Sequence, residues 1–168
     1  MPTRSRIIDT SGPPPEPAAR AGRYAPAVDL EPAVRAFIER QRVARLATVD
    51  PAGQPHLVPL VFALVDGRVY SAVDEKPKRR ARLQRVQNVE ANPRATLLFD
   101  EYDEDWSRLG WVMLRGHGAV LRAGAEHTRA LAALRARYPQ YAAMALEGRD
   151  VLRIEPRRVA AWGTARTG

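Results

Sequence analysis

The sequence predicts a small, mainly β domain, a β-barrel with helices added to it. Extended apolar stretches follow one another in quick succession over residues 43–73. Short turns join them, Asp50-Pro51-Ala52-Gly53 and Asp66-Gly67, and the second of these is a strong hairpin signal. Parallel strands need crossovers of about a dozen or more residues. The short turns therefore favour antiparallel hairpins over a parallel nucleotide-binding sheet.

Length and composition indicate one folded domain preceded by a tail. The chain has 168 residues, of which 45% are hydrophobic, and this is enough for one core. Residues 1–28 are predicted to be a disordered, proline-rich tail, because the stretch 11–17 (SGPPPEP) can form neither helix nor sheet. The globular domain is then expected over residues 29–168.

Several features are absent from the sequence, and each absence removes a class of function. There is no cysteine, which excludes disulfides, thiol catalysis and thiolate metal sites. The chain has neither an apolar run of bilayer length nor the apolar core of a secretory signal, so we expect a cytoplasmic protein with no membrane partner. The net charge of +8 and the sequence pI near 10.7 favour an anionic partner.

The first half of the domain is predicted to hold one helix and three strands. Asp29 is a candidate N-cap of the helix. One face of this helix is apolar and carries Leu30, Val34, Phe37 and Ile38. The strands are expected at 43–49, 56–65 and 68–73. The second strand is almost wholly apolar, so both of its faces should be covered, and Pro59 within it implies an edge, a bulge or a ligand-facing position.

The second half is predicted to alternate helices with strands. Apolar spacing at 83–89 predicts a helix that Asn92-Pro93 ends, followed by a strand over 95–99. A polar, acidic stretch over 100–110 precedes a strand at 111–121, which should bend or bulge near Gly116 and Gly118. A second long helix stops at Pro139. Two short extended pieces, 151–154 and 159–162, are divided by Pro156.

A basic run follows directly on the third strand. Residues 76–85 hold six cations, and without them the net charge would be +2. Pro77 prevents a helix through the first part, and the rest is typical of the opening of a helix. Backbone N–H groups of a first helical turn, backed by lysine and arginine, bind phosphate well. Because the small Ser71 and Ala72 allow close approach to the strand, we predict that this junction binds a phosphate-bearing cofactor.

These motifs resemble a known family in their order and spacing. Residues 43–50 (VARLATVD) and 53–59 (GQPHLVP) resemble the opening of the flavin/deazaflavin oxidoreductases of the pyridoxamine-phosphate-oxidase class. The match continues through 69–72 (VYSA), the basic run and 92–94 (NPR). Residues 102–109 (YDEDWSRL) are similar in particular to an actinobacterial branch of F420-dependent enzymes. The similarity spans about Ala44 to Trp162, the whole predicted globular part.

The resemblance implies a six-stranded antiparallel split barrel of the FMN-binding type. It further implies a homodimer, with the cofactor in a groove that both subunits share. In such proteins the cofactor phosphate lies beside the residues after the third strand, the ring system lies along the second strand, and the start of the fifth strand reaches it from the partner subunit. The cofactor-binding residues implied here are His56, Val58, Pro59, Ser71, Ala72, Lys76, Lys78, Arg79, Arg80, Trp106, Arg108 and Trp111.

The implied cofactor is F420, with FMN as the alternative. F420 presents a phosphodiester followed by carboxylates, whereas FMN presents one terminal phosphate, so six cations across ten residues suit the longer ligand. A deazaflavin or flavin performs hydride transfer itself, so we expect no catalytic side chain and no metal site. Members that oxidise pyridoxamine phosphate carry a C-terminal arginine/histidine motif. Residues 162–165 (WGTA) lack it, so vitamin B6 oxidation is not expected.

The implied activity is F420-dependent transfer of a hydride to a small organic acceptor. An FMN-dependent oxidoreductase of the same fold and a non-catalytic binding protein are the alternatives. The same features also have structural interpretations: the basic run is typical of a solvated helix face, and Trp106 and Trp111 are typical of barrel-filling or dimer-interface residues. The scattered His56, His117 and His127 are by default structural or surface residues. Nucleic-acid binding ranks last, because aromatic residues make up only 7% and an acidic stretch follows the run.

Overall fold

The computed structural model describes residues 28–74 and 82–166. Within them the helices are α1 (Pro32–Arg40), α2 (Gln84–Ala91) and α3 (Ala125–Arg137). The strands are β1 (Ala44–Val49), β2 (Pro55–Leu60), β3 (Ala63–Val65), β4 (Arg68–Ala72), β5 (Arg94–Glu101), β6 (Gly110–Leu121) and β7 (Val151–Gly163). Two 3-10 turns lie at Trp106–Arg108 and Pro139–Ala143.

The strands form one curled antiparallel sheet, in the order β2-β1-β5-β6-β7-β4-β3. Every adjacent pair is antiparallel, and β6 with β7 makes the longest pairing. The helices lie outside this ladder. The prediction of a mainly β, antiparallel barrel-like fold with added helices is confirmed. In the described part of the chain, no helix combines the length and the apolar character needed to cross a bilayer.

The sheet has seven strands, one more than the six-stranded split barrel that the resemblance implied. The stretch 56–65 was expected to be one strand, but the chain leaves the ladder at Val61 and Phe62, which separate β2 from β3. The backbone N–H of Phe62 donates to the Tyr138 hydroxyl (3.2 Å) instead of to a neighbouring strand. This break carries the chain from one edge of the sheet, β2, to the other, β3.

Two further expectations about strands need correction. The faces of β2 are not both covered: β2 is an edge strand, and Leu57 is 65% exposed. The expected edge position of Pro59 is confirmed. The two C-terminal pieces form the single strand β7, because a register shift accommodates the proline: Gly116 lies opposite Pro156, and Arg157 is the extra residue of a bulge. The predicted irregularity at Gly116 is thus confirmed.

The helices begin later than the sequence predicted. Asp29 is not the N-cap of α1: Glu31 occupies that position without a side-chain hydrogen bond, and Pro32 is the first helical residue. Proline suits this position because its fixed φ is helical and its missing N–H would be unpaired there anyway. Likewise α2 begins at Gln84, so Arg82 precedes the helix instead of opening it.

Two buried clusters fill the interior. The larger one lies between the curled sheet, α1 and α2, and includes Phe37, Leu46, Phe62, Phe99 and Leu114, none of which is exposed. The smaller one packs α3 and the Pro139–Ala143 turn against β3 and β4, around Leu134, Tyr138 and Leu146. The helix face predicted for α1 is confirmed, because Val34, Phe37 and Ile38 are buried.

Tyr138 joins the end of α1, the β2–β3 break and the end of α3. Its hydroxyl accepts from the Phe62 N–H and donates to the Arg42 carbonyl oxygen at 2.8 Å. Arg137 stacks over the Phe62 ring, 4.7 Å from its centroid, and donates to the Glu39 carbonyl oxygen at 2.9 Å. The three elements are therefore held by hydrogen bonds as well as by apolar packing.

Replacing Tyr138 with phenylalanine is expected to lower the free energy of unfolding by about 1–3 kcal/mol, because the buried Phe62 N–H loses its acceptor. Urea denaturation measures this loss. Tyr102→Phe is the matched control: Tyr102 is 69% exposed, so its hydroxyl should contribute little. Equal stability of the two variants would show that the Tyr138 hydroxyl does not hold the strand break.

Candidate functional site

A cleft of about 240 Å³ opens where β2 ends, beside the end of β4. Its lining combines an apolar wall with a few polar groups, which is typical of small-molecule sites. The lining residues are Val43, Pro59, Leu60, Val61, Ser71, Ala72, Asp74, Arg85 and Tyr141. The volume lies below the roughly 300–1,000 Å³ of complete ligand pockets. The cleft that the described residues form is therefore small for a complete ligand pocket.

The floor of the cleft is formed by small residues at the end of β4. Ser71 and Ala72 pair with Leu152 and Val151 of β7, and both are 5% exposed. Because their side chains are short, a ligand can approach the strand backbone closely. The next residue, Val73, leaves the ladder but stays anchored, since its N–H donates to the Asp150 carbonyl oxygen at 2.9 Å.

Arg85 brings a positive charge into the cleft from the first turn of α2. Its Nε is buried and has no hydrogen-bond partner among the described residues. Burial lowers the pKa of the Arg85 guanidinium, while the negative charge of Asp74 acts in the opposite direction. An arginine stays charged even so. The cleft therefore contains a partly desolvated cation whose hydrogen-bonding capacity is incompletely used, as an anion-binding group requires.

Asp74 and Tyr141 line the same cleft as Arg85. Tyr141 comes from the turn after α3 and is 4% exposed, and its ring packs edge-on against Tyr138. Burial raises the pKa of the Tyr141 hydroxyl, and the charge of Asp74 adds to this effect. The hydroxyl is therefore protonated at neutral pH and can donate a hydrogen bond. Among the described residues, Arg85, Asp74 and Tyr141 thus bring a cation, a carboxylate and a phenol to the cleft.

Beside the cleft, a surface ion-pair network holds Arg82, the first residue after the gap in the described chain. Arg82 contacts the Glu90 carboxylate at 2.7 Å and Asp150 at 3.7 Å, and Arg122 contacts both carboxylates as well. The hydrogen bonds from Arg82 and Arg122 lower the pKa of the Glu90 carboxyl to about 2. Of the two described arginines of the basic run, Arg82 therefore anchors the chain and Arg85 reaches the cleft.

The Glu90 carboxylate should make stability dependent on pH in acid. Its pKa is depressed in the fold from an ordinary 4.5 to about 2, so its contribution is complete above about pH 4.5 and is lost as the pH falls toward 2. We expect Glu90→Gln to lose less stability over this range than the unmodified protein does. Chemical denaturation between pH 2 and 6 measures the difference. Glu39→Gln, an exposed glutamate outside this network, serves as the control and should retain the full acid sensitivity.

Three of the residues predicted to bind the cofactor come together in this cleft, namely Pro59, Ser71 and Ala72. Pro59 lies at the exposed edge of β2, and the other two lie in β4. Four more of the predicted residues lie outside the described parts of the chain: Lys76, Lys78, Arg79 and Arg80. Of the described residues on either side, Asp74 lines the cleft and Arg82 belongs to the Glu90 network.

The remaining five predicted residues do not line the cleft of the single chain. His56 and Val58 pair with Thr48 and Leu46 on the inner face of the sheet, and Val58 packs against the main core. Trp111 pairs with Trp162 of β7, at the end of the sheet formed by the start of β6.

The turn that precedes β6 projects into solvent. Trp106 is 74% exposed, so the interpretation of this residue as barrel-filling is wrong. Arg108 is also exposed and lies 3.5 Å from the Asp103 carboxylate. The turn is capped locally, because the Asp105 carboxylate accepts from the Ser107 N–H. Both side chains are thus available at the surface, away from the cleft of their own chain.

The sequence interpretation missed three polar residues of the cleft. Arg85 belongs to the basic run but was not assigned to the site. The sequence does show that it lies in the predicted helix beside the apolar Leu83 and Val86. Asp74 lies two residues after the small pair of β4, and its charge could have marked it. Tyr141 carries no comparable signal, because it reaches the cleft only through the packing of α3 against β4.

A family profile and a curated relative both match most of the chain. The family profile described as pyridoxamine 5'-phosphate oxidase matches residues 30–163, which include every strand of the sheet. The 5a,11a-dehydrotetracycline/5a,11a-dehydrooxytetracycline reductase of Streptomyces rimosus is 27% identical over 128 residues, or 76% of this chain and 78% of that protein.

Solved structures share the fold. A conserved hypothetical protein of Mycobacterium tuberculosis superposes with a TM-score of 0.68 at 25% identity, over 86% of this chain and 91% of that one. A heme-binding protein of Mycobacterium smegmatis superposes with a TM-score of 0.64 at 21% identity, over 81% of this chain and 55% of that one. At this identity the second likeness concerns the fold alone. By its profile match, its antiparallel curled sheet and its cleft at the end of β4, the chain belongs to the pyridoxamine 5'-phosphate oxidase family.

Proposed function

We propose that this protein is an oxidoreductase that binds F420, or alternatively FMN, and transfers a hydride to a small organic acceptor. The observation that carries the proposal is the cleft itself, in which the buried Nε of Arg85 lies beside a wall of small and apolar residues. The reductase from Streptomyces rimosus supports the redox class. A hydride donor reduces an electron-poor acceptor, so a conjugated or otherwise electron-poor small molecule is the expected substrate class.

The residues present fit a flavin or deazaflavin. Such a ring supplies the hydride chemistry when it is bound, so the protein has to bind, orient and shield it. Pro59, Leu60 and Val61 offer an apolar wall, and Ser71 with Ala72 leaves room beside β4. Arg85 offers a charge-assisted hydrogen bond to an acidic group. The division of the cleft into an apolar side and a polar side matches a ligand with an apolar ring and an acidic end.

F420 is preferred over FMN because of the charge that surrounds the cleft. The sequence places four further cations between Asp74 and Arg82, namely Lys76, Lys78, Arg79 and Arg80. Together with Arg85 they would serve a ligand that carries several negative charges better than one with a single phosphate. Their part in binding stays a prediction from the sequence.

We further propose that the protein is a homodimer. The outer face of the sheet, read from the strand register, carries Leu57, Leu98, Met113 and Trp162. Leu57 is 65% exposed and Trp162 is 41% exposed, which is unusual for large apolar side chains that stay in water. A second copy packed on this face would cover them. Light scattering should give twice the mass of one chain.

Titration of the purified apo-protein with F420 and FMN tests the proposal. We expect saturable quenching of F420 fluorescence with one site per chain, weaker binding of FMN, and F420-dependent reduction of a conjugated acceptor such as a dehydrotetracycline. Tight binding without turnover of any acceptor would make the protein a carrier. Hemin is the third titrant, because the Mycobacterium smegmatis protein of the same fold binds heme. A stoichiometric Soret shift without binding of either cofactor would overturn the proposal.

A further inference from the structure

We infer that Asp74 is an internal counter-ion for Arg85, which an anionic ligand has to displace, and that Asp74 thereby sets the selectivity of the cleft among anions. Both side chains line the same cleft, one from the end of β4 and one from the first turn of α2. The inference rests on the proposed function in one respect: the natural anion is taken to be the acidic part of the redox cofactor.

The position of Asp74 is set by the fold. Its neighbour Val73 is tied to Asp150 through the backbone, and the two preceding residues pair with β7. Arg85 is held equally firmly, because α2 packs through Val86 and Val89 into the main core. The backbone next to each residue is thus anchored, and the two opposite charges line the same small opening.

The energetic consequence follows from burial. An arginine in a partly desolvated cleft is less costly when a negative charge lies nearby, and Asp74 supplies that charge in the ligand-free protein. The electrostatic effect of Asp74 on Arg85 opposes that of burial, as expected for a counter-ion. An anion that enters the cleft gains the attraction of Arg85 but meets the repulsion of Asp74. Only an anion with stronger or more numerous charges than one carboxylate gains a large net attraction.

This arrangement predicts a pair of opposite effects when the carboxylate is removed. Asp74→Asn keeps the size and polarity of the side chain but leaves Arg85 without its counter-ion. The ligand-free protein should then be less stable, while its affinity for anions should rise about five- to tenfold. A residue with a merely structural role would lower both stability and affinity. The opposite signs therefore distinguish the two roles.

The test uses inorganic pyrophosphate as the probe, with FMN and riboflavin as a second pair that differs only in the phosphate. Dissociation constants and thermal midpoints are measured for the unmodified protein, for Asp74→Asn and for Asp74→Glu, which retains the charge. We expect tighter pyrophosphate and FMN binding by Asp74→Asn, unchanged riboflavin binding, and values near those of the unmodified protein for Asp74→Glu.

Unchanged or weaker pyrophosphate binding by Asp74→Asn would overturn the inference, whatever the affinities for FMN and riboflavin. Tighter pyrophosphate binding by this variant, with no binding of F420 or FMN by any form of the protein, would support the counter-ion and overturn the proposed cofactor instead. The two failures are thus distinguishable. A gain in riboflavin affinity equal to the gain in FMN affinity would also contradict the inference, because it would show that the effect does not depend on negative charge.

Discussion

Replacing Arg85 with methionine is expected to weaken F420 binding about ten- to hundredfold. Methionine keeps much of the length and the apolar stem of the side chain but removes the cation that lines the cleft. A hydrogen bond to a charged group contributes about 1.5–3 kcal/mol, and this range converts to the stated loss. The carboxylate of Asp74 stays behind in the variant and repels the acidic end of the ligand, which adds to the effect.

Fluorescence titration of F420 measures this loss, and Arg82→Met is the matched control. Arg82 belongs to the same basic run, but its guanidinium already contacts Glu90 and Asp150 outside the cleft. Its replacement should change the affinity severalfold at most. Similar losses of affinity in the two variants would show that the basic run acts only through its overall charge. An unchanged affinity of Arg85→Met for F420 would show that Arg85 does not bind the acidic part of the ligand.

The parts of the fold that depend on local signals were predictable from the sequence. The Asp66-Gly67 turn defines the β3–β4 hairpin, with Asp66 at φ 49° and Gly67 at φ 74°. Gly116 predicted an irregularity in β6, and the register shift lies there. Pro139 ended the third helix as expected, because α3 stops two residues before it. In each case the information is contained within a few residues of the chain.

The parts that depend on distant contacts were not predictable. The stretch 56–65 has the composition of one strand, and its break at Phe62 requires the hydroxyl of Tyr138, which lies 76 residues away. The prediction that Pro156 divides the C-terminal strand into two pieces is wrong. No sequence pattern shows that a bulge opposite Gly116 accommodates this proline within β7. Such features depend on contacts between elements that are distant in the sequence, so the residue pattern of one segment does not predict them.

The candidate site shows the same division. Ser71 and Ala72 were predicted because they are small and adjacent to a basic run, and both signals are local. The assignment of separate roles to Arg82 and Arg85 was beyond the sequence, since the two residues have the same charge and are three positions apart. Only the carboxylates of Glu90 and Asp150, brought in from α2 and from the residue before β7, separate an anchoring arginine from a cleft arginine.

Replacing Gly116 with alanine is expected to lower the free energy of unfolding by about 3 kcal/mol or more. A Cβ at this position would lie inside contact distance of the Glu155 carbonyl and of the Pro156 Cα, which is 2.9 Å away. These are backbone atoms of the partner strand, so no rotamer change can relieve the clash, and β6 and β7 have to separate locally. Thermal unfolding should then occur about 6–12 °C lower.

The matched control is Gly53→Ala, in the turn between β1 and β2. Gly53 has a positive φ of 86°, and a Cβ added there would have no other atom within 4 Å, so alanine incurs conformational strain of about 1–2 kcal/mol but no clash. The order of the two losses therefore separates steric exclusion from backbone conformation. If Gly116→Ala proved no more destabilising than Gly53→Ala, the β6–β7 bulge would have to be flexible enough to admit a side chain. β7 pairs on one side with β6 and on the other with β4, which carries Ser71 and Ala72. In that case the pairing of β6 with β7 would not depend on close contact at Gly116.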